Sequence, residues 1–142
     1  MQRGDLINGL RHILIVDDDP HYRYGASFAL RMNGYTISES ADGRDALALL
    51  RKNDTIDLVL SDFDMPGMSG GHLLHALQRT ASRAWVIVVT GRSEAEVADS
   101  LSGVPYLAVI PKPVDARAFV AAIEGIFAKQ ASAPGNRCTD SC

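Results

Sequence analysis

Short aliphatic runs alternate along this chain with segments of helical periodicity, and this alternation constrains the fold more than any other feature. The first aliphatic run, HILIVD at residues 12–17, ends abruptly at an acid, which is typical of a strand buried on both faces. The predicted strands are His12–Asp17, Tyr35–Glu39, Asp57–Ser61, Trp85–Thr90 and Tyr106–Ile110. The predicted helices are Pro20–Asn33, Asp42–Asn53, Ser69–Arg79, a short helix from Ser93, and Val114–Ala128. Because parallel strands need right-handed helical crossovers, the sequence predicts a doubly wound α/β fold with helices on both faces of a parallel sheet.

Length and composition predict one globular domain. The chain has 142 residues, 46% of them apolar and 22% charged, and no apolar run is long enough to cross a bilayer. A formal net charge of −3 without a dense Lys/Arg block argues against direct binding to nucleic acid or to an anionic membrane. We expect the domain at residues 11–129, preceded by an extension at 1–10 and followed by a disordered tail of linker composition at 130–142.

The N-terminal residues and the cysteines bear on the cellular compartment. Residues 1–10 mix four polar side chains with few apolar ones and lack the hydrophobic core of a secretory signal, so we expect a cytoplasmic protein. The two cysteines, Cys138 and Cys142, lie in the polar tail. They can build neither a disulfide framework nor a four-ligand zinc site, and we expect them to be free thiols.

Polar side chains collect where the predicted strands end. These residues are Asp17, Asp18 and Asp19 after the first strand, Asp62 and Asp64 after the third, Thr90 after the fourth and Lys112 after the fifth. In an open parallel sheet, ligands bind at the carboxyl ends of the strands. Carboxylates gathered there from two strands repel one another unless a cation neutralises them, and hard oxygen ligands favour magnesium. The sequence therefore predicts a Mg²⁺ site at this edge.

The same residues have the chemistry that phosphoryl transfer requires. A transferred phosphoryl group needs an oxygen nucleophile and donors that neutralise charge on its equatorial oxygens. Asp62 can be the nucleophile, because carboxylates are recognised covalent phosphoryl acceptors. Lys112 can supply a positive charge and Thr90 a hydroxyl donor to the phosphoryl oxygens. We expect these three residues to form a phosphoacceptor site.

Four motifs, in this order and spacing, resemble those of response-regulator receiver domains of two-component signalling systems. They read LIVDDDP at 14–20, LSDFDMPGMSG at 60–70, VVTG at 88–91 and IPKP at 110–113. Each motif is weak alone, but together they are specific, and the resemblance covers about residues 11 to 129. It implies a flavodoxin-like, five-stranded sheet in the order 2-1-3-4-5, with five helices.

The resemblance also implies a role for each site residue. Asp62 is expected to be phosphorylated, with Thr90 and Lys112 holding the phosphoryl group. The implied Mg²⁺ ligands are Asp18 directly, Asp17 largely through water, Asp62, and the main-chain carbonyl of Asp64. The expected phosphoryl donor is a sensor histidine kinase or a histidine phosphotransfer protein, and the signal would pass by protein contacts to a downstream protein or within a homodimer.

Three further positions are interpreted through the resemblance. The residues two positions after the acceptor and two after the threonine, here Asp64 and Arg92, influence the lifetime of the phosphorylated state in this family. Receiver domains usually carry Tyr or Phe three residues before the lysine, but this chain has Val109 there. The departure puts the usual coupled movement of threonine and aromatic ring in doubt, without affecting the phosphorylation chemistry.

Other interpretations of the acidic residues stay open at this stage. Asp19 before Pro20, and Asp42 before the second helix, are expected to be helix caps. The pair formed by Asp62 and Asp64 also matches the D-x-D motif of haloacid-dehalogenase-like phosphatases, although that family carries it after its first strand. A third possibility is a binding module that uses the same fold without phosphorylation.

Overall fold

A computed structural model describes residues 12–53, 55–64, 72–73, 75–76, 84–100, 108–112 and 116–131. Its strands are β1 (His12–Val16), β2 (Thr36–Ser40), β3 (Leu58–Asp62), β4 (Trp85–Thr90) and β5 (Ala108–Pro111). The helices with described bounds are α1 (Pro20–Arg31), α2 (Gly43–Lys52), α3 (Glu94–Ser100) and α4 (Ala116–Ala131). All strand pairs are parallel, in the order β2-β1-β3-β4-β5, which confirms the predicted topology.

Helices cover both faces of this sheet, so alternate residues of the central strands enter two separate hydrophobic clusters. Leu14 and Val16 of β1 pack with apolar residues of α2 and with Val97 of α3. Ile13 and Ile15 of the same strand pack on the opposite face, with apolar residues of α1 and α4. Every residue of β3 is buried as a result. Burial on both faces explains why the central strands consist of continuous aliphatic runs.

Two of the predicted helix caps are confirmed. The side chain of Asp19 accepts hydrogen bonds from the main-chain N–H groups of His21 and Tyr22, and Pro20 occupies the first helical position of α1. The side chain of Asp42 accepts a bond from Asp45 at 2.8 Å and begins α2 in the same way. These caps start both helices immediately after the strands that precede them.

Most element bounds lie within a few residues of the prediction. The bounds of β4 are confirmed, while β2 and β3 begin and end one residue later than predicted, which places Asp62 inside β3. In the predicted helix Ser69–Arg79, residues 72, 73, 75 and 76 are helical, and the rest of that range lies outside the described residues. The described helices contain no segment long and apolar enough to span a membrane.

The strand register brings the predicted site residues to one edge of the sheet. Asp62, the last residue of β3, is paired with Val89 of β4, directly before Thr90. Thr90 is paired with Pro111 of β5, and its carbonyl accepts a 2.8 Å bond from the main-chain N–H of Lys112. The end of β1 adjoins β3, because Val16 pairs with Ser61. Asp17, Asp62, Thr90 and Lys112 therefore meet at the carboxyl edge.

Candidate functional site

The ammonium group of Lys112 lies between two carboxylates at the carboxyl edge. Its Nζ donates to Asp17 Oδ2 at 2.9 Å and lies 3.5 Å from Asp62 Oδ1. Burial alone would lower the pKa of Lys112, but the hydrogen bond to Asp17 and the charges of Asp17 and Asp62 outweigh it and raise that pKa. Lys112 therefore stays positively charged and points at the predicted acceptor.

Asp17 is the more firmly fixed of the two carboxylates. It is only 1% exposed, and its Oδ1 accepts a 2.9 Å hydrogen bond from the main-chain N–H of Asp19. Arg23 donates to the main-chain carbonyl of Asp17 at 2.8 Å and forms an ion pair with Glu39 at 3.2 Å. With Lys112 on its other oxygen, Asp17 has both carboxylate oxygens occupied.

Asp62 is also buried, but its carboxylate accepts fewer hydrogen bonds than that of Asp17. Its Oδ1 accepts a 3.3 Å bond from the main-chain N–H of Asp64, and no hydrogen bond from the described residues reaches its Oδ2. Burial, followed by the charge of Asp17, raises the pKa of Asp62 from 3.8 to about 6, against the lowering effect of Lys112. Asp62 therefore carries one carboxylate oxygen that accepts no hydrogen bond from the described residues, and its negative charge is costly to keep.

The raised pKa predicts that Asp62→Asn stabilises the metal-free protein at neutral pH. A carboxyl whose pKa is higher in the folded state costs stability above that pKa, and the cost disappears below its unfolded value. In EDTA, we expect Asp62→Asn to gain about 2 kcal/mol in unfolding free energy near pH 7.5, and the gain to shrink as the pH falls from about 6 to 4. Urea unfolding at several pH values measures this. Exposed Asp99→Asn is the control, and a gain independent of pH would contradict the prediction.

The acidic residues fit a divalent cation. One oxygen each from Asp17, Asp18 and Asp62 can be chosen so that all lie within 4.8 Å of one another. Asp18 is exposed while the other two are buried, so a cation there would be open to solvent on one side. An all-carboxylate donor set suits a hard cation such as Mg²⁺. The main-chain carbonyl of Asp64, next to the site, stays a predicted fourth ligand.

Arg92 and Asp64, on the loops that follow β4 and β3, are paired with each other. The guanidinium of Arg92 donates through Nε to both carboxylate oxygens of Asp64, at 2.8 and 3.0 Å, and stacks 5.8 Å from the centre of the Phe63 ring. The main-chain N–H of Arg92 donates to the hydroxyl of Thr90, which is completely buried. The two positions expected to influence the lifetime of a phosphorylated state are thus in direct contact.

A family model for the response regulator receiver domain matches residues 13–124, which include every residue of this site. The chain belongs to the receiver domain family. As in the prediction, its sheet has the strand order β2-β1-β3-β4-β5. The matched range falls within the domain predicted at residues 11–129.

Three comparisons place this receiver domain among its relatives. It is 31% identical to part of the sensor kinase CckA of Brucella abortus over 131 residues, which is 92% of this chain and 14% of that protein. It is 35% identical to a response regulator receiver protein of Anaeromyxobacter over 105 residues, 74% of this chain and 44% of that one. The structure of a Vibrio cholerae chemotaxis response regulator superposes with a TM-score of 0.76 at 25% identity, covering 82% of this chain and 98% of that chain. The receiver domain thus spans less than half of either of these curated relatives.

The sequence interpretation missed two residues of the site. Arg23 holds the main chain of Asp17, and the ring of Tyr22 lies against Lys112. The signal in the sequence was their place in the first turn of a helix that starts directly after the acidic cluster, which indicates nearness to the site but not the contact with Lys112. Val109 is partly buried and packs against the apolar cluster on the α2 side. Its effect on the coupled movement of threonine and aromatic ring stays a prediction. The MPGMSG segment after Asp64 and the proline after Lys112 lie outside the described residues.

Proposed function

We propose that this receiver domain accepts a phosphoryl group on Asp62 in a Mg²⁺-dependent reaction and signals through protein contacts. The observation that carries the proposal is the position of Lys112, whose charged Nζ lies between Asp17 and Asp62 at the end of β3. A carboxylate beside a fixed positive charge can attack a phosphoryl group and have the transferred charge neutralised at once. The donor would be a sensor histidine kinase or a histidine phosphotransfer protein.

Each residue has one task in the proposed transfer. A carboxylate oxygen of Asp62 attacks the phosphorus, the new O–P bond forms, and the P–N bond to the donor histidine breaks with its electron pair staying on nitrogen. Lys112 neutralises one equatorial phosphoryl oxygen, and the Thr90 hydroxyl donates to another. Asp17 cannot replace Asp62 as nucleophile, because both of its oxygens are occupied and it is 1% exposed.

The acidic side chains would hold Mg²⁺ beside the acceptor. Asp17, Asp18 and Asp62, with the main-chain carbonyl of Asp64, are the proposed ligands. When bound, the ion supplies positive charge that offsets the clustered carboxylates and the incoming phosphoryl oxygens. This charge is needed because, among the described residues, Lys112 alone faces two buried carboxylates and an arriving dianion.

Acetyl phosphate separates this proposal from the two alternatives. A receiver domain should gain a stable, acid-labile mass increment of one phosphoryl group when incubated with acetyl phosphate and Mg²⁺. A phosphatase of the D-x-D class should hydrolyse the donor without keeping the group, and a phosphorylation-independent binding module should do neither. The Asp64 side chain counts against the phosphatase, because a general acid must be free to donate a proton and this carboxylate is paired with Arg92.

Mg²⁺ is expected to raise the melting temperature of the protein, and Asp18→Ala to remove this effect. At a Mg²⁺ concentration about ten times the Kd, mass action adds about 1.4 kcal/mol, or about 5 °C for a domain of this size. Asp18 is exposed, so its truncation should leave the fold intact. Thermal melting with Mg²⁺ or EDTA measures the shift, and Asp99→Ala, an exposed acid on α3, is the matched control. An unchanged wild-type melting curve in millimolar Mg²⁺ would show that the metal site is wrong.

The pair between Arg92 and Asp64 is expected to lengthen the life of phosphorylated Asp62. The pair joins the two loops that follow β3 and β4, and we expect its side chains to obstruct the in-line approach of water to the phosphoryl group. Both are half exposed, so the pair contributes only about 1 kcal/mol, which is still about a fivefold change in rate. Decay of the Asp62 label after removal of the donor should therefore be severalfold faster in Arg92→Ala and in Asp64→Ala.

The same measurement distinguishes an obstructing pair from a catalytic Asp64. If Asp64 instead positions the attacking water as a base, Asp64→Ala should slow the decay while Arg92→Ala changes it little. Slower decay in Asp64→Ala would therefore reject the obstructing pair. Arg44→Ala, which removes an exposed arginine of α2, is the control for a nonspecific change in charge and should leave the decay unchanged.

A further inference from the structure

The ring of Tyr22 forms one wall around the Lys112 ammonium. Nζ of Lys112 lies 4.6 Å from the ring centre, within the range of a cation–π contact. The same Nζ is hydrogen-bonded to Asp17 and close to Asp62. The ammonium is therefore held by two carboxylates and by an aromatic face, while its side chain is 25% exposed.

Packing from behind fixes the Tyr22 ring in place. Phe119 of α4, which is buried, meets the ring edge-on, with 6.2 Å between ring centres and an interplanar angle of 72°. At the other end of the residue, the main-chain N–H of Tyr22 is capped by Asp19. Because α1 and α4 both restrain it, the ring is a rigid support, whereas Lys112 is a long side chain with many rotamers.

The hydroxyl of Tyr22 makes no comparable contribution. Its oxygen is buried and has no hydrogen-bond partner among the described residues. A buried polar group without a partner costs stability, so the residue contributes to the site through its ring, not through its hydroxyl. The chain also lacks the family's aromatic residue at Val109, which leaves Tyr22 as the aromatic side chain seen in contact with Lys112 in the described part of the chain.

We propose that Tyr22 is a positioning residue for phosphoryl transfer, whose ring holds the Lys112 ammonium between Asp17 and Asp62. The inference rests on the proposed function, because it assumes that Lys112 neutralises the transferred group. Without the ring, the lysine would sample positions away from the acceptor and the rate of transfer would fall. The effect should be transmitted entirely through Lys112, since Tyr22 itself has no donor aimed at a described residue.

The test compares Tyr22→Met, Tyr22→Leu and Tyr22→Phe in the rate of Asp62 phosphorylation by acetyl phosphate and Mg²⁺. The two aliphatic variants should be about fivefold slower, equivalent to about 1 kcal/mol of lost cation–π contact. Tyr22→Phe should rescue the rate, because it keeps the ring. It should also unfold at higher urea concentration than the wild type, because it removes the unsatisfied hydroxyl.

A double-mutant cycle shows whether Tyr22 acts through Lys112. In a Lys112→Ala background, Tyr22→Met should produce no further slowing, whereas a merely structural defect would slow the reaction by the same factor in both backgrounds. Equal rates for Tyr22→Met and wild type, or a slow Tyr22→Phe, would overturn the inference and leave the proposed function standing. Absence of any label in the wild type would overturn the proposed function, and this inference with it.

Discussion

Asp62→Asn is expected to abolish phosphorylation by acetyl phosphate and Mg²⁺. The amide cannot act as the oxygen nucleophile, and the neighbouring carboxylates cannot take its place. Asp17 is 1% exposed with both oxygens hydrogen-bonded, and the Asp64 carboxylate is held by Arg92. Intact-protein mass spectrometry should find no acid-labile increment in Asp62→Asn, while the control Asp99→Asn is labelled at the wild-type rate.

Loss of the fold cannot account for this expected loss of label. Asparagine has nearly the shape of aspartate and removes a buried charge whose pKa is raised to about 6, so the variant should be at least as stable as the wild type at neutral pH without metal. A urea unfolding curve on the same sample verifies this. Labelling of Asp62→Asn at the wild-type rate would refute the assignment of the acceptor.

Lys112→Ala is expected to slow the phosphorylation of Asp62 by about a hundredfold. Lys112 is the fixed positive charge nearest the acceptor in the described structure, 3.5 Å from Asp62 Oδ1. In other enzymes, removing one preorganised donor that stabilises a developing charge lowers the reaction rate about 10²- to 10³-fold. The initial rate of label incorporation, at a fixed acetyl phosphate concentration, measures the loss.

Two controls separate this chemical role from a structural one. Lys112→Ala leaves the buried Asp17 without its ion-pair partner, so the unfolding free energy should also fall, and the rate must be measured where the variant is fully folded. Lys52→Ala, which removes an exposed lysine of α2, should change neither quantity. A fully folded Lys112→Ala protein that reacts within threefold of the wild type would contradict the role of Lys112.

The meeting of the site residues at one edge of the sheet was predictable because it follows local rules. Asp17 and Lys112 each come directly after a strand, and Asp62 and Thr90 each end one, so a parallel sheet brings them to one edge whatever the details of packing. The caps at Asp19 and Asp42 were predictable for the same reason, since a cap depends on a few consecutive residues.

Features that depend on distant packing were not predictable. The contact between Tyr22 and Lys112 joins residues 90 positions apart in sequence and needs α1 and α4 to pack side by side on the sheet. Strand β2 begins one residue later than predicted, because Tyr35 is buried against the ring of Phe127 instead of pairing in the sheet. Helix α4 continues to Ala131, three residues beyond its predicted end, because Lys129, Gln130 and Ala131 are good helix formers within a stretch of linker-like composition.

The most direct test of the central claim is to locate the phosphoryl group on the chain. The protein is labelled with acetyl phosphate and Mg²⁺, and the acyl phosphate is reduced with borohydride, which converts a phosphorylated aspartate into homoserine. The account predicts homoserine at position 62 and unmodified aspartate at positions 17, 18 and 64. Label retained at another residue, or a wild-type protein that incorporates none, would contradict it.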